Sequence, residues 1–192
     1  KVSVSESIIE SVVSVTSEEI DDGDPLAQSF TVPRKTKLED GTIASSDGIF
    51  ITGGEIFVRT KDDTIPLNIS IRTMQNGTPT KTIVPFGEVD VDPSDIETSD
   101  DGSIGTKFTF KSPVYLQSDY EYALILYSPT PAYNVFITRM GEVDLLTKKL
   151  NDKQPTLGSL FKSQNASTWT PSQFEDLKFK LNKAKFVTNS SG

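Results

Sequence analysis

An all-β fold, an antiparallel β-sandwich of jelly-roll type with an extended N-terminal arm, is what three features of this 192-residue sequence predict. About ten short segments alternate apolar and polar residues with a period of two, and turn residues recur roughly every 8–12 positions. One segment, YEYALILY at 120–127, is apolar almost throughout, as a strand covered on both faces must be. Helix starts are scarce, so at most one or two short helical turns are expected.

Residues 1–20, KVSVSESIIESVVSVTSEEI, place Val2 and Val4, then Val13 and Val15, at a period of two. No tight turn follows to supply a local partner, so this stretch must add to a sheet elsewhere. We assign residues 1–23 to the arm, 24–186 to the sandwich and 187–192 to a C-terminal tail; Asp21-Asp22-Gly23-Asp24-Pro25 breaks the arm with turn chemistry. Ala27 to Val32 reads as a first strand closed by Pro33, and residues 34–48 read as a polar loop. Ile49 to Thr52 and Glu55 to Thr60 flank Gly53-Gly54, a bulge or tight bend. Leu67 to Thr73 alternates cleanly, and Asn76-Gly77 signals a hairpin with Thr82 to Val91 as its partner.

Residues 92–105 form an acidic loop. Thr106 to Phe110 and Val114 to Leu116 are short strands set apart by Pro113. Tyr120 to Tyr127 belongs in the middle of the fold, with Asn134 to Arg139 pairing back across Ser128-Pro129-Thr130-Pro131. Asp144 to Leu150 could make a helical turn, and Thr170-Pro171-Ser172-Gln173 has the residues of a helix start. The last strand, Asp176 to Phe186, turns Leu177, Phe179 and Leu181 inward and Lys178 and Lys180 outward. Its apolar phase then shifts to Ala184 and Phe186, which predicts a bulge or the strand's end near Asn182-Lys183. The first and last sandwich strands are both amphipathic and could be jelly-roll neighbours.

The chain has neither Cys nor His. That removes disulfides, thiolate metal sites, a Cys nucleophile and a Ser-His-Asp triad. A net charge of −8 argues against nucleic acid as a partner, and no apolar run is long enough for a membrane span. The chain begins with Lys rather than Met and reads as a piece of a longer protein. Its charge is uneven: −6 over residues 1–29, −7 over 88–101 and +5 over 145–192. An acidic start and a basic end can attract each other or a neighbour, although solvated charge is the plainer reading.

Clustered acids at Asp21, Asp22 and Asp24, at Asp90, Asp92 and Asp95, and at Asp100 and Asp101 do not match a calcium loop; Asx-turns explain them as well. Glu55, Glu121, Glu175 and Asp176 are the carboxylates a glycosidase would need, but all but Glu175 more simply face solvent. No cofactor, metal or catalytic residue is assigned, and the domain is expected not to be an enzyme. Tyr115, Tyr120, Tyr122, Tyr127, Tyr133 and Trp169 could stack on sugars, with Tyr133 and Trp169 the most reachable, although Trp169 could equally plug one end of the sandwich. Sequons at Asn68, Asn165 and Asn189 carry no weight without a secretory signal.

Two stretches stand out, DPLAQSFTV at 24–32 and KQPTLGSLFKSQNASTWTPSQFEDLKFKLNKAKF at 153–186, with IFITGGEIFVRTKDDTIPLNISIRTMQNGTPT and SPVYLQSDYEYALILYS between them. Together they resemble a domain of large structural proteins in the tail and baseplate region of contractile-tailed bacteriophages; LGSLFKSQNASTWTPSQFEDLKF is the most specific part. The resemblance implies a non-catalytic virion module made in the bacterial cytoplasm and carried in the tail. Its partners would be other virion subunits in a homo- or hetero-oligomer. Leu157, Leu160, Phe161, Asn165 and Trp169 are candidates for an assembly contact, with packing into their own domain the competing role for Leu160 and Phe161. Val2, Val4, Val13 and Val15 are candidates for an arm contact on an adjacent domain or subunit. The alternative is a carbohydrate-binding module for the host surface.

Overall fold

The structure, a computed structural model, describes residues 2–10, 16–19, 24–37, 40–139, 158–165 and 167–186. Its strands in chain order are β1 (Val2–Glu10), β2 (Thr16–Glu19), β3 (Leu26–Thr31), β4 (Lys35–Lys37), β5 (Ile43–Ser45), β6 (Gly48–Ile56), β7 (Val58–Thr60) and β8 (Leu67–Gln75). There follow β9 (Thr78–Val91), β10 (Thr106–Gln117), β11 (Glu121–Tyr127), β12 (Asn134–Arg139), β13 (Leu160–Ser163), β14 (Trp169–Ser172), β15 (Glu175–Leu177) and β16 (Phe179–Phe186). The fold is all-β, with antiparallel ladders and open sheets. A single 3-10 turn at Pro93–Asp95 is the helical content among the described residues.

Three sheets carry the fold. A front sheet has the order β1-β16-β6-β10, and a back sheet the order β14-β13-β3-β11-β8-β9. A side sheet, β15-β12-β2 with β7 also on β12, and the β4–β5 hairpin complete it. One apolar cluster joins the first three: Ile51, Phe108, Leu116 and Leu181 from the front, Phe30, Ile69 and Leu124 from the back, Val135 and Ile137 from the side. Each such side chain contributes about 1.5–3 kcal/mol on burial, which is what holds the sheets together.

β11 is central, with β3 on one edge and β8 on the other. Leu124 and Leu126 enter the shared core, while Ala123 and Ile125 enter a second cluster on the opposite face with Ala27, Phe161 and Trp169. The continuous apolar run in the sequence has this cause. Because both edges of β11 are taken, β12 cannot pair back onto it as the sequence suggested and instead joins β2, β7 and β15. For the same reason β3, held between β11 and β13, is not a neighbour of β16.

The Asn76-Gly77 hairpin forms as expected, with φ of 52° and 75° at the two turn residues joining β8 to β9. β6 continues through Gly53 and Gly54, with the expected irregularity beside them: Gly53 and Ile51 pair with the successive residues Asn182 and Lys183, which leaves Thr52 as an extra residue in that ladder. A Cβ on Gly53 would lie 2.0 Å from the Phe108 carbonyl oxygen, and one on Gly54 2.0 Å from that of Lys180, so the glycines let both neighbouring strands close in. Both ladders slip beside them, β10 between Thr109 and Val114 and β16 between Asn182 and Lys183. The second slip is the phase change read from the sequence. The first absorbs Pro113 inside one long strand.

Other expectations change. Residues 34–48 contain the β4–β5 hairpin, whose strand residues are all exposed and so show no apolar alternation. Thr170–Ser172 is strand, not helix; β14 is an edge strand, where a proline is tolerated. Lys178 is buried rather than outward, because the chain there crosses from β15 in the side sheet to β16 in the front. Its ammonium donates to the Gly102 carbonyl at 2.6 Å and lies 4.3 Å from the Phe57 ring centroid, replacing water. Asp144 to Leu150 lies outside the described residues.

Candidate interaction surface

The segments that carry the resemblance meet in space. β13 pairs with β3, matching Leu160 to Gln28 and Phe161 to Ala27. Gln28, fully buried, donates to Asp176 Oδ1 at 2.9 Å and accepts from the Leu177 N–H at 2.8 Å. Ser29 N–H donates to the Ser159 carbonyl at 3.0 Å, and Ser159 N–H donates to Ser29 Oγ at 2.8 Å. A Cβ on Gly158 would stand 2.1 Å from the Ser29 carbonyl oxygen. The most specific sequence signal therefore encodes a buried polar joint between back and side sheets. Asp176, read from the sequence as solvent-facing, is fully buried in that joint.

Of the assembly candidates, Leu160 is in the core between the sheets, and Phe161 and Trp169 are buried on the other face of the back sheet. All three pack within their own domain. Asn165 is exposed, and its Oδ1 accepts from the N–H groups of Ser167 at 3.1 Å and Thr168 at 2.7 Å, shaping its own turn. Leu157 lies outside the described residues. Val2 and Val4 belong to β1, which pairs with β16 of the same chain, Val2 opposite Phe186 and Val4 opposite Ala184. Val13 and Val15 lie outside the described residues.

Three of the six sugar-platform aromatics are interior, Tyr127 is half-buried, and Tyr115 and Tyr120 are exposed. Tyr133 and Trp169, which the sequence made the most reachable, are both buried, as is Tyr122. Tyr133 plugs the chain's inner face: its hydroxyl donates to the Ile65 carbonyl at 2.5 Å, and burial followed by the charge of Asp62 pushes its pKa up to about 12. The carboxylate candidates are held locally. Glu55 lies 3.8 Å from Lys180, Glu175 accepts from Ser172 Oγ at 2.8 Å, and Glu121 is exposed. Among the described residues no cluster of three acids, His or Cys could hold a metal ion.

Of the acid clusters read from the sequence, Asp101 makes an Asx-turn, Asp90 instead accepts from Asn68 across a ladder, and Asp21 and Asp22 lie outside the described residues; Asp40 and Asp62 make Asx-turns too. Asp62 Oδ1 accepts from the N–H groups of Thr64 and Ile65, both at 2.8 Å, and these bonds hold its carboxyl below the usual range. The hydroxyls and N–H groups of Thr42 and Ser103 lower Asp40 and Asp101 in the same way. The shared pattern, Asp or Asn followed two residues later by Ser or Thr, is visible in the sequence and also explains Asn165. Asn68 sits on a strand instead, where its amide donates to Asp90 at 2.8 Å and Glu88 at 3.2 Å.

The surface that stands out is the outer face of the front sheet. Phe50 and Tyr115 are direct cross-strand partners on β6 and β10, both exposed, with ring centroids 5.2 Å apart. Gly48 makes room for the Tyr115 ring, since a Cβ there would fall 2.3 Å from its hydroxyl oxygen. Beside them a groove of about 320 Å³ runs under the β4–β5 hairpin, lined by Pro33, Thr36, Ala44, Ile49, Phe50 and Ala184 among others. Arg34 fixes the base of that hairpin by donating to Asp119 at 2.6 Å and to Asp47, and these two carboxylates, Asp119 first, raise its pKa further. Sequence reasoning missed Phe50 and named Tyr115 only among the sugar-stacking candidates. The available signal was an aromatic in the outward phase of a strand, between Ile49 and Ile51 or between Val114 and Leu116.

A second exposed aromatic, Phe86 on β9, has φ of 64° and is 64% exposed. The β8–β9 ladder slips there, between Ser70 and Arg72, and pushes the ring outward.

In comparisons with known proteins, the chain matches no family model and no curated protein.

Proposed function

We propose that this domain is a structural module of a contractile-tailed phage tail or baseplate, acting through protein–protein contacts without turnover. The observation that carries the reading is the exposed Phe50–Tyr115 pair on the outer face of the front sheet, beside the groove under the β4–β5 hairpin. Exposed apolar residues gathered on one sheet face are a contact surface for protein. The resemblance of residues 24–32 and 153–186 to tail and baseplate proteins gives that contact its setting. Repeated passage of the chain between front and back sheets, β6 to β8, β9 to β10, β10 to β11, supports a jelly-roll-type sandwich as the finer fold. The burial of Tyr133 and Trp169 weighs against a carbohydrate platform.

Light scattering from micromolar to millimolar protein tests the proposal. The full chain should self-associate, and the double variant Phe50→Ser, Tyr115→Ser should shift association to higher concentration with an unchanged unfolding midpoint. A chain that stays monomeric throughout and binds bacterial surface polysaccharide would overturn it in favour of the glycan reading.

A further inference from the structure

The arm meets the domain at two places, β1 on β16 and β2 on β12, and β16 is the first of them. It has β6 on one side and β1 on the other. Without β1, its outer N–H and C=O groups would form an open edge, a template for any extended chain. The arm and this edge are matched in charge. Residues 1–29 carry −6 and residues 145–192 carry +5. The register places Glu6 opposite Lys183 and Glu10 opposite Lys180. Opposite charges at paired positions of a ladder favour that register and disfavour others.

The ladder is also interrupted. It slips between Val4 and Glu6 and again between Ser7 and Ile9, which leaves Ser5 and Ile8 without direct partners on β16. Beyond β1 the chain enters a different sheet, because β2 pairs with β12.

We propose that β1 is an exchangeable strand: residues 2–10 of one copy occupy the β16 edge of a second copy, reciprocally. This rests on the assembly reading above and names its partner. Exchange breaks and remakes the same backbone ladder and the same Glu–Lys oppositions, so the sheet loses no bond. The balance is then set by concentration, which is high in an assembling particle. The acidic arm and basic strand supply the selectivity, since an arm without Glu6 and Glu10 would meet Lys183 and Lys180 without complementary charge.

Two experiments on the full chain test it. Ser3 and Lys185 are direct partners in the ladder, and the chain has no cysteine of its own. The variant Ser3→Cys, Lys185→Cys, concentrated and then oxidised, should give a disulfide-linked dimer absent from either single variant. Disulfides formed wholly within single chains, while light scattering still reports oligomers, would overturn exchange and leave the assembly reading standing. Intrachain disulfides in a strictly monomeric protein would overturn both. Failure to form any disulfide would overturn the register on which exchange depends.

Charge reversal gives the second test. Glu6→Lys and Lys183→Glu each place like charges opposite one another in the closed monomer and in the exchanged dimer alike, so each alone should dimerise about as the parent does. Mixed together, they should form a heterodimer about tenfold more readily than either dimerises alone. In it the Glu6→Lys arm meets the Lys183→Glu edge, and the unaltered Glu6 of the second chain meets the unaltered Lys183 of the first, so both pairs are complementary. No preference for the heterodimer on mixing would mean the arm stays on its own chain.

Discussion

The back and front sheets share one core but differ on their other faces. The back sheet buries a second cluster, Ala27, Ala123, Ile125, Phe161 and Trp169, so β11 is enclosed on both sides. The front sheet turns Phe50 and Tyr115 outward beside a groove and ends in β1, a strand from the arm. A sheet packed on both faces can only be frame. A sheet with one packed face can also be a surface, and its edge can accept a strand. The difference separates the part of the sequence that specifies the fold from the part available for contact.

The comparison breaks most readily at β11. Leu124→Ala and Ile125→Ala, facing opposite clusters, should each cost about 2–5 kcal/mol in urea unfolding. Tyr115→Ala on the front sheet should stay within about 0.5 kcal/mol of the parent. A cheap Ile125→Ala would mean the second face of the back sheet is not a core. Next is Gly53→Ala, which drives a Cβ into the Phe108 carbonyl and should cost about 1–3 kcal/mol. Hydrogen exchange should locate the loss in the β6–β10 ladder, with the back sheet still protected.

Smaller and of opposite sign is Phe86→Gly. Phe86 holds a left-handed backbone that glycine adopts freely, so the variant should be more stable by about 0.5–1 kcal/mol. An unchanged or lower midpoint would show that packing of the ring compensates the strain. The smallest effect is in acid. Asp40, Asp62 and Asp101 have folded pKa values below their unfolded ones, so their contribution is complete above the ordinary carboxylate pKa and is lost as pH falls through the lowered values. Asp62→Asn should lower stability slightly in the neutral region and converge on the parent in acid, which flattens the acid limb of a stability–pH curve. A steep limb identical to the parent's would assign acid sensitivity elsewhere.

Much of this was legible in the residues. The doubly covered run at 120–127, the Asn76-Gly77 hairpin and the phase slip at Asn182-Lys183 all follow from alternation and turn chemistry. The polar hairpin at 35–45 was not legible, because a strand exposed on both faces has no alternation to read. The buried positions of Tyr133, Lys178 and Asp176 were hidden for a different reason, whereas a buried Trp169 was among the sequence readings. Residue type suggests exposure, and only a remote partner reverses it: the Ile65 carbonyl for Tyr133, the Gly102 carbonyl for Lys178, Gln28 for Asp176.

By itself, the sequence determined that the chain is built of strands, which residues face inward where apolar and polar positions alternate cleanly, as in Leu67, Ile69 and Ile71, and where an acidic arm and a basic final strand lie. Those properties are local, since each side chain's phase and each turn's dihedrals depend on near neighbours. The tertiary structure alone decided which strands pair, because pairing depends on which edges are already occupied. With β3 and β8 on β11, β12 had to go to the side sheet, and β16 was left as the edge that receives the arm.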